Sequence, residues 1–237
     1  MKPVFVMTNN VRAYVQTMEI VRKRMGSDSL AMICGRAGRG KTRTSIWYAT
    51  QNDCIYIPTL RDWSVLWMYQ DVLKAMGVHP DDQPRRRKQA FEMILKILEE
   101  RPRIVIMDEA DLLGPRLLES VRDLCKMTRV PWVLVGEEGL PILMNRDRRV
   151  WSRRCATMEF APMNAADIIV YAREATGLLM EETTADMIQL HAGGDIRLIE
   201  LILSTAETMA QANNLKEVTF DIAEKAIKKV IPEAIKK

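Results

Sequence analysis

No apolar run in the sequence approaches the roughly 20 residues that a membrane-crossing helix needs. The start, MKPVFVMTNN, has no apolar signal core ahead of a small-residue cleavage site. These absences argue against a membrane partner and make the cytoplasm the expected compartment. Only two histidines occur, and the four cysteines (Cys34, Cys54, Cys125 and Cys155) stand far apart without a CxxC pair. A zinc site or disulfide framework is therefore not expected, and reduced, mostly buried thiols are. Internal repeats and low-complexity tracts are missing too. Charge of one sign is scarce: 35 basic residues face 31 acidic ones, for a net +4. Bulk charge alone therefore makes no case for nucleic acid.

What is present is an ordinary globular composition, 48% hydrophobic and 28% charged over 237 residues. That length suits one large domain or a medium domain with a small appendage. Short apolar runs alternate with amphipathic stretches, the signature of a parallel sheet flanked by helices. Helices are expected over Val11–Met25, Lys41–Thr50, Ser64–Met76, from Pro84 as first helical residue, and over Leu117–Met127. Strands are expected at Leu30–Cys34, Cys54–Ile57, Ile104–Met107, Trp132–Val135 and Cys155–Phe160. After Pro162 strand signals fade, and four helices are expected behind the caps Asn164, Thr183, Asp195 and Thr219. The fold class expected is thus α/β: an αβα sandwich with a parallel five-stranded sheet over 1–161, including an N-terminal helix at 11–25. A small all-helical domain over 162–237 follows it.

GRAGRGKT, Gly35–Thr42, matches GxxxxGK[ST] in full and lies between an expected strand and an expected helix. Glycines let backbone N–H groups wrap phosphate oxygens without Cβ clashes, and the following helix adds its positive end. Gly35, Arg36, Ala37, Gly38, Arg39, Gly40, Lys41, Thr42 and Arg43 are therefore the candidate ATP-binding residues. Lys41 would reach the β- and γ-phosphates, and the Thr42 hydroxyl would sit on Mg²⁺.

Roughly sixty residues further on, IVIMDEAD (Ile104–Asp111) places two carboxylates at a strand's carboxyl end, where open α/β sheets bind ligands. Asp108 would hold Mg²⁺ and Glu109 would orient and polarise the attacking water, with Lys41 and Glu109 both catalytic. Although DEAD occurs in RNA helicases, 237 residues cannot supply two RecA-like domains.

Phosphoryl transfer gains from donated arginines. Arg197 of GGDIRLIE falls in the first turn of an expected helix, where a cation opposes the dipole and needs an anion. A γ-phosphate would serve, so Arg197 is a candidate for both nucleotide binding and catalysis. RDRRVWSRR, Arg146–Arg154, is a second source. At this place the chain resembles AAA+ ATPases of the initiator-like clade, whose "RV.SR" segment carries a finger entering a neighbour's site. The resemblance nominates Arg153 first, with Arg149 and Arg154 beside it.

FVMTNNVRAYVQTMEIVRKRMGSDSLAMICGRAGRGKTRT resembles the opening of the transposition AAA+ ATPases, meaning the B proteins of Mu-like phages and their TnsC- and ExeA-type relatives. WVLVGEEGLPILMNRDRRVWSRRC and HAGGDIRLIELIL continue the likeness over most of the chain. It implies ATP-dependent, largely sequence-independent binding to duplex DNA, self-assembly into helical filaments, delivery of target DNA to a transposase, and association with the nucleoid. Two departures stand out. A polar residue after the fourth strand senses the γ-phosphate in such relatives, whereas here Gly136-Glu137-Glu138 follows Val135. The 29 residues before the first strand are expected to leave no room for the N-terminal DNA-binding domain of the Mu protein.

For DNA contact the candidates are Arg85, Arg86, Arg87 and Lys88, placed where a helix start disfavours cations unless Asp81 and Asp82 neutralise them. Arg61 and Trp63 follow the second strand, where such relatives place DNA-contacting elements, with burial of Trp63 as the blander alternative. Competing readings are a helicase loader of the DnaC or IstB kind and an ExeA-like secretion-assembly ATPase. The latter normally continues into a membrane segment and a cell-wall-binding domain.

Overall fold

A computed structural model describes residues 1–2 and 4–231. The last six positions of the expected 162–237 domain lie outside the described residues. Contacts divide the chain into two units, one of 13–36 and 41–160, the other of 1–12, 37–40 and 161 onward. The grouping of the first twelve residues with the C-terminal segment is not visible in the sequence texture.

The first unit takes most of helix α1 (Asn9–Arg22), strand β1 (Leu30–Cys34), α2 (Lys41–Gln51), β2 (Ile55–Pro58), α3 (Val65–Ala75) and α4 (Arg87–Glu100). It continues with β3 (Val105–Asp108), α5 (Pro115–Thr128), β4 (Trp132–Val135), the short helices α6 (Leu140–Asn145) and α7 (Arg148–Trp151), and β5 (Arg154–Glu159). The five strands form one sheet in the order β2-β3-β4-β1-β5, every pairing parallel. Strands β1, β3 and β4 are buried at every residue, as an interior parallel sheet with helices on both faces requires. Alternation then sorts the side chains. Leu30, Met32, Val105, Met107, Trp132 and Leu134 pack with α3, α4 and α5, while Ala31, Ile33, Ile106, Val133 and Val135 pack with α1 and α2.

Helix α4 begins at Arg87 rather than at Pro84. Pro84 lies upstream, its carbonyl accepting the Gln70 side-chain amide at 3.2 Å, and Arg86 is an N-cap without a side-chain bond. Helices α6 and α7, of six and four residues, are too short to show a period in the sequence.

The second unit contains α8 (Ala165–Thr176), a two-residue strand β6 (Leu179–Met180), α9 (Glu182–Ala192), α10 (Ile196–Ala212), β7 (Glu217–Val218) and α11 (Phe220–Val230). Asn164, Asp195 and Thr219 are N-caps whose side chains accept backbone N–H groups, as expected of such residues. The cap of α9 is Glu181, however, and Thr183 falls inside that helix. A single parallel pairing of β6 with β7 joins the helices. The core is Ile168, Ile188, Ile199, Ile202 and Ile222 with alanines at 172, 175, 206, 223 and 226. The first residues dock here. Both oxygens of buried Asp167 accept the Asn9 N–H at 3.1 Å, and the Asn10 side chain forms a reciprocal pair of bonds with Ala161 at 2.8 and 3.0 Å.

Candidate nucleotide site

Strand β1 delivers its carboxyl end into a turn whose glycines cannot be replaced. Gly35 has φ +148°, and a Cβ there would lie 2.9 Å from the Phe160 carbonyl oxygen, because the Phe160 N–H is bonded to Cys34 O at 2.8 Å. Gly38 and Gly40 have φ of +76° and +88°. Within the helical unit, a Cβ on Gly38 would fall 1.9 Å from the Asp195 carboxylate. The Gly38 carbonyl accepts the Ile196 N–H at 2.8 Å, and Arg39 donates to Gly193 O at 2.6 Å. Gly38 occupies a position that the motif leaves open, so its requirement comes from tertiary packing.

Lys41 opens α2 and is buried at 8% exposure. Its ammonium donates to the loop carbonyls of Gly35 and Arg36 at 2.6 and 2.9 Å. Burial pulls its pKa below the usual lysine value, while Glu137, Asp108 and Asp111 pull the other way. The structure thus brings Lys41 into electrostatic reach of Asp108. Thr42 and Arg43 are exposed in the first turn of α2.

Register sets the acidic half. Pro58 of β2 lies opposite Asp108 of β3, and Asp108 is only 2% exposed. Its Oδ2 accepts the Tyr56 phenol at 2.8 Å and its Oδ1 accepts the Glu109 N–H at 3.0 Å. Glu109 is exposed and left-handed at φ 54°, ψ 34°, a conformation costing a non-glycine residue about 1–2 kcal/mol. Asp111 was not singled out from the sequence. Its Oδ1 accepts the Glu137 N–H at 2.8 Å, and a Cβ on Gly136 would lie 2.5 Å from that oxygen. The glycine found where a polar sensor was sought is there because Asp111 holds the backbone after β4. Asp111's place in IVIMDEAD was the available signal.

The candidate arginines all have local partners. Arg197 bonds Asp195 through its backbone N–H at 2.8 Å and its Nη2 at 3.3 Å, so the anion that the helix dipole demands stands two residues away. Burial raises the Asp195 pKa, but the bonds from Arg197 outweigh it and leave the group below the ordinary value. Arg153 donates its Nε to Asp28 at 3.0 Å and a second bond to Arg149 O. Arg149 is exposed between Asp147 and Glu119. Arg154 stacks on Trp151 with its guanidinium carbon 3.6 Å from the ring centre. Arg36 lies 4.0 Å from Glu138, both exposed.

Comparison with known proteins decides the family. The AAA domain family matches residues 23–144, half of the chain. The chain belongs to it. The chain is also similar to Mu-like B proteins. Over 202 residues the chain is 28% identical to the ATP-dependent target DNA activator B of Escherichia phage Mu, covering 84% of this chain and 61% of that protein. Over 227 residues it is 24% identical to the Mu-like prophage FluMu DNA transposition protein B of Haemophilus influenzae, covering 91% and 75%. The chain therefore spans about three fifths of the phage Mu relative. Among solved structures, Cdc6p from Pyrobaculum aerophilum matches with a TM-score of 0.72 at 20% identity, over 98% of this chain and 71% of that one. The Aeropyrum pernix ORC2 protein in its ADPNP-ADP complexes gives 0.67 at 15%, over 98% and 70%. These two establish the fold of this AAA domain protein.

Of the residues expected at DNA, Trp63 is a core residue of the AAA domain chain. It is 6% exposed, with its indole N–H on Asp71 Oδ2 at 2.7 Å, because the apolar ring fills the cluster under α3. Arg61 is exposed beside it in sequence. Arg85, Arg86, Arg87 and Lys88 are all exposed; Lys88 pairs with Glu92 at 3.7 Å. Among the described residues no carboxylate pairs with Arg85, Arg86 or Arg87, and Asp81 faces His79 instead. The same residues hold no helix long and apolar enough to cross a membrane.

Proposed function

We propose that this chain binds ATP with Mg²⁺ through Gly35–Thr42, hydrolyses it, and uses the bound nucleotide to assemble on duplex DNA as a target-DNA activator for a transposase. A buried Lys41 at the start of α2, within electrostatic reach of the buried Asp108 that ends β3, carries the reading. Lys41 already bonds oxygen atoms of its own loop and would transfer to phosphate oxygens. Glu109 would orient the attacking water. Arg197 would meet the γ-phosphate once released from Asp195.

The Thr42 hydroxyl and the Asp108 carboxylate are hard oxygen donors that suit Mg²⁺. Among the described residues no group of three His, Cys, Asp or Glu side chains could hold a metal unaided, so phosphate oxygens would complete its shell. Held by Thr42 and Asp108, Mg²⁺ would supply positive charge against the negative charge that develops on the phosphates.

The DNA-facing part rests on Arg61 and on Arg85–Lys88, and it is supported by the names of the relatives, one of them an ATP-dependent target DNA activator. An uncapped helix start where Arg86 and Arg87 have no carboxylate partner among the described residues suits a polyanion. Arg153, Arg149 or Arg154 would complete a neighbouring copy's site, and residence in the cytoplasm with the nucleoid follows from this role. Electron microscopy of the protein with duplex DNA tests it. Filaments that form with ATP and vanish without it are expected. A strict preference for single strands would overturn the reading in favour of a helicase loader.

A further inference from the structure

Asp108 receives two hydrogen bonds, and the one on Oδ2 comes from Tyr56, a residue that no nucleotide motif contains. Tyr56 pairs with Ile106 across β2 and β3, so Asp108 lies two residues further along on the same face. An aromatic side chain is long enough to span that diagonal. The ring rests half-buried in the cluster beneath α1 and α2, which fixes its direction, and the phenol meets Oδ2 at 2.8 Å. The second bond, from the Glu109 N–H to Oδ1, is the one that accompanies the left-handed backbone at Glu109. With Asp108 at 2% exposure, water has little access to replace either donor.

We propose that Tyr56 is a positioning residue: its phenol sets the plane of the Asp108 carboxylate, and through Asp108 Oδ1 it sets the backbone that carries Glu109. The proposal rests on the reading of Asp108 as a metal-holding group. Oδ2 is held by an O–H donor on a rigid strand, so the carboxylate keeps one rotamer and offers its remaining lone pairs in a constant direction. Loss of the phenol frees the carboxylate to turn about its Cβ–Cγ bond. It thereby loosens the bond that accompanies the strained Glu109 conformation.

The test is Tyr56→Phe, which removes the hydroxyl and keeps the ring. Circular dichroism and metal-free ADP affinity establish that the variant is folded with an intact loop. Mn²⁺ binding to the protein–ADP complex, followed by electron paramagnetic resonance, is expected to weaken on the order of tenfold, the usual effect of losing a group that orients a metal ligand. Turnover should fall while KM for ATP stays constant. Unchanged Mn²⁺ affinity in Tyr56→Phe, with Asp108→Asn weakened, would overturn the proposal and leave the reading of Asp108 standing. Unchanged affinity in Asp108→Asn would overturn both.

Discussion

The Asp195 carboxylate serves the start of α10 twice, accepting the Arg197 backbone N–H at 2.8 Å on Oδ1 and the Arg197 guanidinium at 3.3 Å on Oδ2. Asp195→Ala should cost about 1 kcal/mol through the lost cap, and Asp195→Asn less, since an amide oxygen still caps. Because the folded pKa of Asp195 is depressed, its charge-dependent contribution is present above the unfolded value near ~3.9. It is lost as pH falls through the folded value. Thermal melts should therefore show wild type and Asp195→Asn converging on acidification. A gap that stays constant from neutral to acid pH would remove the ion pair from the account.

Gly136→Ala should destabilise the sheet unit by about 1–3 kcal/mol, as an intruding methylene does in a packed site. A Cβ there would meet Asp111 Oδ1 at 2.5 Å and the Asp111 N at 3.0 Å. Urea unfolding measures the loss. Asp111→Ser paired with Gly136→Ala should recover part of it, since the clash with Oδ1 is then removed.

Lys41 sets function against stability. Its folded pKa lies below the unfolded value, so the unfolded chain binds more protons between the two and stability rises with pH across that window. The burial cost is complete below the folded pKa and disappears toward ~10.4. Lys41→Met should thus melt no lower than wild type at pH 7, with the two drawing together as the pH rises, while nucleotide binding is lost. A wild-type advantage at pH 7 that stays constant into alkaline pH would contradict this account.

Changing Arg85, Arg86, Arg87 and Lys88 to glutamine should flatten the dependence of DNA affinity on salt. Removing one phosphate-bound cation takes about 0.9 off the log–log slope, so removing four would take off as much as ~3.6. Filter binding or fluorescence anisotropy over a salt series gives the slope. An unchanged slope would take this cluster out of the DNA interface.

Arg153 bonds Asp28 in its own chain, which makes a structural role the alternative to a finger acting in trans. Arg153→Ala and Glu109→Gln should each lower hydrolysis, the former by up to about 10³–10⁵. An equimolar mixture of the two should regain activity, because interfaces with an intact Glu109 and a donated Arg153 then form. Asp28→Ala should leave hydrolysis near wild type. Failure of the mixture to recover, with Asp28→Ala as impaired as Arg153→Ala, would assign Arg153 to the fold.

Legibility followed the range of the forces involved. LAMIC and WVLV were readable to the residue as β1 and β4, since a strand buried on both faces is an unbroken apolar run. The start of α4 was misplaced by three residues, because Pro84 suits a first helical position and only the fold sends its carbonyl to Gln70. Thr183 looked like a cap by type, yet α9 starts one residue before it. The turn of phosphate-loop glycines and the acidic pair at the end of β3 were legible because each is a local backbone requirement. The bonds that position the acidic half join residues 52 and 26 apart, Tyr56 to Asp108 and Asp111 to Glu137.

By itself the sequence determined the order of the five sheet strands and the longer helices, the loop Gly35–Thr42 and the acids at 108 and 109, because these depend on conformational freedom and periodicity within a few residues. Tertiary structure alone decided that Asp195 fills the space over Gly38. It also decided that Trp63 is buried and that Arg85, Arg86 and Arg87 stay without carboxylate partners among the described residues. Those outcomes depend on strand register and on which helix faces meet, and such contacts join residues whose separation along the chain carries no pattern.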